Sequence, residues 1–267
     1  MSIVNTKDSF KIMAENKLKL ADINILVKHP FPSIAFSSCE CYYTDFIYPD
    51  IEIHISSTDI IDSCISTSSA DIKKSFLENL DKVKTTFNEI EHFHIVTQKK
   101  VAEAMLNFDT ILMHGSVFAK DGYAYMFTAA SGVGKSTRTK LFLDIFSDAI
   151  VVNGDKPLIK ITNTQAIACG TPWCGKEGWN TNTMVPLRAI FLLERAGEGE
   201  KNSIEEVILS KAFPFLLQQT YWPDNLDLLK KTLQLLKSLE GKVKIYKFRS
   251  LPTEESVRLA FETAMPR

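Results

Sequence analysis

A short loop near the middle of the chain carries residues that could bind the phosphates of a nucleotide. Its sequence fits the pattern G-x-x-x-x-G-K-S/T except at the first position, where Ala129 replaces glycine. In such loops, backbone amides and the N-terminus of the following helix attract phosphate, and the lysine reaches the β and γ phosphates. We therefore predict an ATP site with Lys135 on the phosphates and the Ser136 hydroxyl on Mg²⁺. The predicted ATP-binding residues are Ser131, Gly132, Val133, Gly134, Lys135, Ser136 and Thr137.

Two further residues could do chemistry beside this loop. Asp155 ends the apolar run that follows the loop helix, and a carboxylate there can organise Mg²⁺ or take the proton from an attacking hydroxyl. His114 precedes the strands that lead into the loop, so its side chain could reach the γ-phosphate. We predict catalytic roles for Asp155, His114 and Lys135, and a metal site at Ser136 and Asp155. A turn aspartate and a structural histidine are the alternatives.

Two cations in the second half of the chain are weaker candidates. Lys176 lies in a predicted loop, and Arg188 begins a predicted strand. Either could neutralise the charge that develops on a transferred phosphoryl group. A solvated surface position is the alternative for each.

The elements around the loop are those that a phosphate-binding loop requires. A predicted strand, Tyr123–Phe127, enters the loop, and a helix with apolar residues on one face leaves it. Before the strand, Asp121-Gly122 predicts a tight hairpin turn, because both residues tolerate the positive φ that such turns need. After the helix, Ala149–Val152 is a second predicted strand, which leads to Asp155.

The remainder of the chain predicts two regions. Residues 1–100 form a β-rich accessory or substrate-docking region, and residues 101–267 form the nucleotide-binding core with a helical C-terminal part. In the first region, Leu20–Val27 and Ile51–Ile55 alternate like half-buried strands, whereas the Ser- and Thr-rich segment Ser56–Ala70 predicts an exposed loop. Gln98–Asn107 predicts an amphipathic helix. The predicted fold class is mixed α/β (α+β) with a mixed sheet.

Bulk composition narrows the partners. Lys and Arg total 31 against 32 Asp and Glu, so the chain has no overall field that attracts nucleic acid. No apolar run reaches the ~20 residues of a membrane span, and no signal peptide pattern begins the sequence. The five cysteines predict free thiols. We expect a cytoplasmic protein that binds neither membrane nor nucleic acid.

Several sequence segments together resemble the HPr serine kinase/phosphorylase family, especially its shorter HPr kinase-like relatives in bacterial gene clusters for modified peptides. That superfamily shares its core with ATP-dependent phosphoenolpyruvate carboxykinases. The similarity covers roughly residues 100–200 well. It rests on His114-Gly115-Ser116, the loop SGVGKST, NGDKPLI (153–159), GTPWCGK (170–176) and PLRAIFLLER (186–195), with a weaker match at AFPFLLQQTYWP (212–223).

The resemblance implies ATP-dependent phosphorylation of a serine hydroxyl on a peptide or protein. It assigns the family's phosphate-side histidine to His114, the phosphate lysine to Lys135 and the metal serine to Ser136. The family's catalytic aspartate belongs to an Asp-Asp pair, of which Gly154 replaces the first member and Asp155 remains. The family assembles as oligomers, so a homo-oligomer is one expectation. The C-terminal signature of HPr dephosphorylation is not found, and phosphorylase activity is not expected.

Two functions from different classes remain open on the sequence. The first is a serine kinase that uses Mg-ATP. The second is an ATP-binding regulatory or recognition module of peptide maturation without phosphotransfer, which the replacements at Ala129 and Gly154 favour. The carboxykinase reaction is disfavoured, since no cluster of metal ligands and arginines for a dicarboxylate is evident.

Overall fold

A computed structural model describes residues 14–31, 40–67, 89–130, 132–197 and 199–265. Contacts between residues divide the chain into two units. The first extends to Lys100 apart from residues 20–22 and 38–42, and the second contains those two short segments and everything from Val101 onward. Among the described residues, no helix is both long enough and apolar enough to cross a membrane.

The first unit contains a three-stranded sheet in the order β1-β2-β3. The strands are β1 (Ala14–Leu20), β2 (Ile23–His29) and β3 (Ile51–His54), with β2 and β3 parallel. The predicted single strand Leu20–Val27 is wrong, because the chain turns at Ala21 and Asp22. Both residues have positive φ, 51° and 65°, as a tight hairpin turn requires.

The segment predicted as an exposed loop at Ser56–Ala70 is also wrong, since helix α1 (Ser57–Thr67) occupies its described part. Residues 68–70 lie outside the described ranges. Ser56 and Asp59 cap the helix reciprocally: the Ser56 amide donates to Asp59 Oδ2 at 2.7 Å, and the Asp59 amide donates to Ser56 Oγ at 3.1 Å. Ile60 and Cys64, one turn apart, are buried. The polar composition hid an apolar face of only a few residues.

Helix α2 (Glu89–Met105) is longer than the predicted Gln98–Asn107. Val101 and Met105 are fully buried.

The second unit is built on a nine-stranded mixed sheet. Six α-helices occur in the described residues of the whole chain. The strands of this sheet are β4 (Thr110–Leu112), β5 (Ser116–Lys120), β6 (Tyr123–Thr128), β7 (Ile150–Asn153), β8 (Leu158–Ile161), β9 (Ala166–Cys169), β10 (Met184–Arg195), β11 (Ser203–Glu206) and β12 (Lys244–Ser250). The helices of this unit are α3 (Lys135–Ile145), α4 (Leu209–Gln218), α5 (Leu226–Lys237) and α6 (Glu254–Ala264).

The sheet order is β4-β8-β9-β10-β6-β5-β7, with β12 paired to β10 and β11 paired to β12. β10 runs parallel to both β6 and β12. β8 is antiparallel to both of its neighbours, β4 and β9. The predicted mixed α/β class is confirmed. The strand β11 was not predicted from the sequence, because only one of its four residues, Ile204, is apolar.

Helices pack on both faces of the sheet, and the alternation along its central strands explains why. On β6, Met126 belongs to a core cluster with residues of α4 and α5. Its neighbours Tyr125 and Phe127 belong to a second cluster with Phe142 of α3 and Phe261 of α6. Successive side chains of a strand point to opposite faces, so a strand covered on both sides is apolar throughout.

The arrangement of β6, β5 and β7 brings three separate segments to one edge of the sheet. β5 lies between the other two and is antiparallel to both, so β6 and β7 run parallel. The predicted turn between β5 and β6 is confirmed, with Asp121 and Gly122 at φ 53° and 78°. The ends of β6 and β7 and the start of β5 therefore share an edge, where the glycine loop, Asp155 and His114 follow or precede them.

Candidate functional site

The glycine loop connects the end of β6 to the start of α3. Gly132 and Gly134 have φ of 82° and 98°, in the left-handed region that glycine adopts without strain. Ser131, a predicted ATP-binding residue, lies outside the described residues. Gly132 is exposed and Val133 half-buried. The two glycines let the chain reverse tightly from strand into helix.

The N-terminus of α3 is open to an anion. Gly134 is its N-cap and, as a glycine, has no side chain that could cap the first amides. The first amides of a helix lack partners within it and carry the positive end of its dipole. Ser136 is half-buried and Thr137 exposed in this first turn. This end of the helix can therefore offer backbone N–H groups to a phosphate.

The Lys135 side chain folds back toward the start of the loop. Its ammonium donates to Ala129 O at 3.0 Å and to Ala130 O at 3.4 Å. Burial lowers the pKa of this ammonium, while the charge of Asp155 acts in the opposite direction. Carbonyl contacts compensate a buried cation only partly, so an anion in the loop would be a better partner.

Asp155 and His114 form a pair at this edge. His114 Nε2 lies 3.2 Å from Asp155 Oδ1. The backbone also joins them, since the Gly115 amide donates to Asp155 O at 2.9 Å. The His114 amide donates to Gln219 O at 2.6 Å, and its carbonyl accepts from Thr128 Oγ1 at 2.7 Å. The imidazole is therefore held on a fixed backbone beside the carboxylate.

The environment of Asp155 keeps its carboxylate ionised. Burial, the largest single influence, would by itself raise the pKa of this carboxyl, but the hydrogen bond from His114 and the neighbouring positive charges together outweigh it. The charges of His114 and Lys135 act in the same direction, and the pKa lies below its usual value.

This lowered pKa predicts a pH-dependent contribution to stability. A carboxylate whose pKa is lower in the folded than in the unfolded state stabilises the protein above the unfolded value, and that contribution is lost as pH falls through the folded value. The difference in unfolding free energy between wild type and Asp155→Asn should be full above about pH 5 and shrink toward about pH 3. Urea unfolding across this range measures it, with the exposed Asp144→Asn as control. A difference in unfolding free energy that grows on acidification would contradict a lowered pKa for Asp155.

Asn153, which was not among the predicted site residues, positions Asp155. It is fully buried, and its Oδ1 accepts from the amides of Asp155 at 2.8 Å and Lys156 at 2.7 Å. Its Nδ2 donates to Thr171 O and Oγ1, both at 2.9 Å. An asparagine that bonds its own backbone two residues on is a recognised turn former, so the sequence carried a signal for it.

Gly154, the residue before Asp155, has no room for a side chain. A Cβ there would lie 2.7 Å from Cys174 O and 3.3 Å from Trp179 O. Its amide donates to Trp179 O at 2.8 Å, which holds that backbone against it. This turn therefore presents one carboxylate, that of Asp155.

Substituting this glycine tests the packing directly. Gly154→Ala should lower the free energy of unfolding by about 1–3 kcal/mol, because the new methyl group must displace backbone. Gly197→Ala is the matched control, since its Cβ would meet only the Glu200 side chain, at 3.3 Å. Chemical denaturation of both variants measures the effect. Equal and small losses of unfolding free energy would show that the backbone around Gly154 moves easily to accommodate a methyl group.

The two weaker cation candidates, Lys176 and Arg188, lie at different ends of the sheet. Lys176 is exposed and follows Gly175, whose Cβ would lie 3.3 Å from Asp155 Cβ, so its loop adjoins the carboxylate. Arg188 lies toward the other end of the sheet from the glycine loop. Its neighbour Leu187 pairs with Ala124 near the start of β6, about 14 Å along that strand from its end. The Arg188 guanidinium instead lies over the Tyr123 ring and donates to Ala264 O.

A magnesium ion that arrives with ATP fits the residues present. Among the residues described, no group of three or more His, Cys, Asp or Glu side chains could hold a metal. Mg²⁺ in nucleotide sites needs only one or two protein oxygens, because phosphates and water complete its shell. The Ser136 hydroxyl and the free oxygen of Asp155 are the candidates.

The structure also reveals a buried arginine beneath the loop. The Arg138 side chain is fully buried, and Nη1 donates to Val133 O at 3.0 Å. Nη2 donates to Ser250 O at 2.7 Å. Burial lowers the pKa of this guanidinium to about 10, with a smaller effect from the charge of Arg195. Its sequence position, in the first turn of α3, gave no sign that it points inward.

Comparisons with known proteins give a limited result. The chain matches no protein-family model and no curated protein. Among solved structures, the Hpr(Ser) kinase/phosphatase from Coxiella burnetii is similar at 16% sequence identity and a TM-score of 0.28. The match covers 48% of this chain and 90% of that one. It is a distant resemblance in fold and carries no information about activity.

Proposed function

We propose that this chain is an ATP-dependent kinase that transfers the γ-phosphoryl group to a serine hydroxyl of a peptide or protein. The observation that carries the proposal is the convergence at one sheet edge of an open helix N-terminus with Lys135 and the Asp155–His114 pair, 3.2 Å apart. Phosphoryl transfer needs positioned cations and dipoles around the phosphates and a base beside the acceptor. These segments supply both.

In the proposed reaction, the amides at the start of α3 and the Lys135 ammonium hold the phosphates of ATP. When bound, Mg²⁺ would neutralise phosphate charge, and the Ser136 hydroxyl would be its ligand while Oδ2 of Asp155 takes the acceptor proton. The acceptor serine oxygen forms a bond to the γ-phosphorus, while the bond from that phosphorus to the β–γ bridging oxygen breaks and ADP leaves. The hydroxyl proton passes to the Asp155 carboxylate.

The geometry of the His114–Asp155 pair gives the two carboxylate oxygens different roles. Oδ1 lies against His114 Nε2, so Oδ2 is the oxygen left for the acceptor proton or the metal. His114 would hold the carboxylate in one orientation and add positive charge when protonated. With Gly154 beside it, this turn offers no second carboxylate to share these tasks.

The direct test is transfer from γ-labelled ATP to pools of serine-containing peptides. Matched pools with serine replaced by alanine are the control. We expect label in the serine pools, dependent on Mg²⁺ and absent with Asp155→Asn. If the protein is folded and binds ATP but labels neither pool nor any co-expressed protein, serine kinase activity is refuted.

The second candidate is an ATP-binding regulatory or recognition module without phosphotransfer. The tight packing around Gly154 favours it, because the turn has a single carboxylate where the family pair has two. Calorimetric ATP binding with neither transfer nor ATP hydrolysis would support it. Transfer that depends on Asp155 would exclude it.

A further inference from the structure

Arg138 connects the glycine loop to Ser250, which lies 112 residues beyond Arg138 in the chain. One nitrogen of its fork, Nη1, donates to Val133 O in the glycine loop. The other, Nη2, donates to both Ser250 O at 2.7 Å and Ser250 Oγ at 3.0 Å, at the end of β12. The planar guanidinium thereby fastens the loop to the sheet edge, which a flexible ammonium cannot do with the same geometry.

These contacts fix the direction of two amides. In a trans peptide unit, the C=O and N–H groups point in opposite directions. The Val133 carbonyl points to Arg138 Nη1, so the N–H of Gly134 points away from the guanidinium. The Gly134 carbonyl accepts from the Arg138 amide at 3.1 Å and lies 3.5 Å from Nη1, so the N–H of Lys135 points away as well.

We propose that Arg138 is a positioning residue that holds the glycine loop with the amides of Gly134 and Lys135 turned outward to bind an anion. The proposal rests on the proposed function in taking this anion to be the polyphosphate of ATP. Arg138 does not touch the ligand; it acts through the loop carbonyls. Its buried charge adds to the positive field of the helix N-terminus above it.

Stability alone does not account for this side chain. In the part of the chain that the structure describes, no carboxylate pairs with Arg138, and its Nε–H has no acceptor. A buried cation without a counter-charge destabilises a fold, and an apolar side chain of similar size would avoid that cost. A bound anion nearby would supply the missing counter-charge.

The test uses inorganic tripolyphosphate and MgATP as separate probes of the full-length protein. Arg138→Lys keeps the charge and removes the fork, and we expect affinity for both probes to fall about tenfold or more. In labelled protein, the amide resonances of Gly134 and Lys135 should shift on titration of wild type and shift far less in the variant. Arg249→Lys, whose guanidinium bonds Glu200 on the surface, is the matched control.

Ser250→Ala is a milder second variant in case Arg138→Lys fails to fold. It removes only the bond to Oγ, and we expect a loss of about two- to fivefold in affinity. Near-wild-type affinity in the folded variants, or no tripolyphosphate binding by wild type, would overturn the role of Arg138. Wild-type protein that binds tripolyphosphate through these amides but never phosphorylates serine would support the positioning role of Arg138. The same result would refute the proposed kinase activity.

Discussion

Asp155→Asn is expected to lower kcat for phosphoryl transfer by about 10²–10⁴-fold, the usual contribution of a positioned base. Asparagine has the same shape and can still accept from His114, but it cannot take the acceptor proton. The turn should persist, because Asn153 holds it through backbone amides of residues 155 and 156. MgATP affinity should fall much less than kcat. Initial rates at saturating ATP separate the two quantities.

The control for this substitution is Asp148→Asn. Asp148 is an exposed carboxylate that pairs with Lys120 at 2.6 Å, between α3 and β7. We expect its kcat to stay within about twofold of wild type, since a surface ion pair contributes little. If Asp155→Asn retained more than a tenth of the wild-type kcat, Asp155 would not be the base.

Lys135→Met is expected to weaken MgATP binding by about 10–100-fold, because a charge-assisted hydrogen bond to phosphate is lost. Transfer should fall further, since the lysine also neutralises charge on the transferred group. Burial lowers the pKa of Lys135, which means that the folded protein disfavours its charged form. Methionine removes that penalty, so the variant should melt no lower than wild type.

Weaker MgATP binding without a loss of thermal stability would distinguish a functional lysine from a structural one. The matched control is Lys140→Met on the exposed face of the same helix, which should leave both quantities nearly unchanged. Calorimetric titration and thermal unfolding provide the two measurements. Unaltered MgATP affinity in Lys135→Met would show that the loop does not bind nucleotide phosphate through this residue.

Local signals predicted the elements that enter and leave the candidate site. The Asp-Gly pair predicted the β5–β6 turn because only a few residues accept positive φ at both positions. The loop pattern predicted where α3 begins, and apolar runs predicted β6 and β7. These features depend on residues close together in the chain, which is why a single sequence carries them.

Features that depend on distant parts of the chain were not predicted. Arg188 was one of two candidates for neutralising phosphoryl charge, but the register of β10 with β6 places it at the other end of the sheet. In the sequence, Gly154 indicated only that a carboxylate is absent before Asp155. The contacts with Cys174 and Trp179, which explain why no side chain fits there, depend on the fold. The inward direction of Arg138 depends on Ser250, far along the sequence.

Short-range errors had a different cause. Leu20–Val27 looked like one strand, since nothing in Ala21-Asp22 is as strong a turn signal as glycine. Helix α1 was taken for a loop because serine and threonine dominate it, although Ser56 and Asp59 form a reciprocal cap. Composition outweighed the capping signal in that prediction.

Amide hydrogen exchange with and without MgATP locates a nucleotide site on the chain without assuming a substrate. We expect slower exchange on binding in peptides that contain residues 132–140 and 153–156, and around His114. Peptides at the opposite edge of the sheet, which contain Arg188 and Glu206, should not change. Protection at that opposite edge, or at neither edge with millimolar MgATP, would contradict a nucleotide site at the glycine loop.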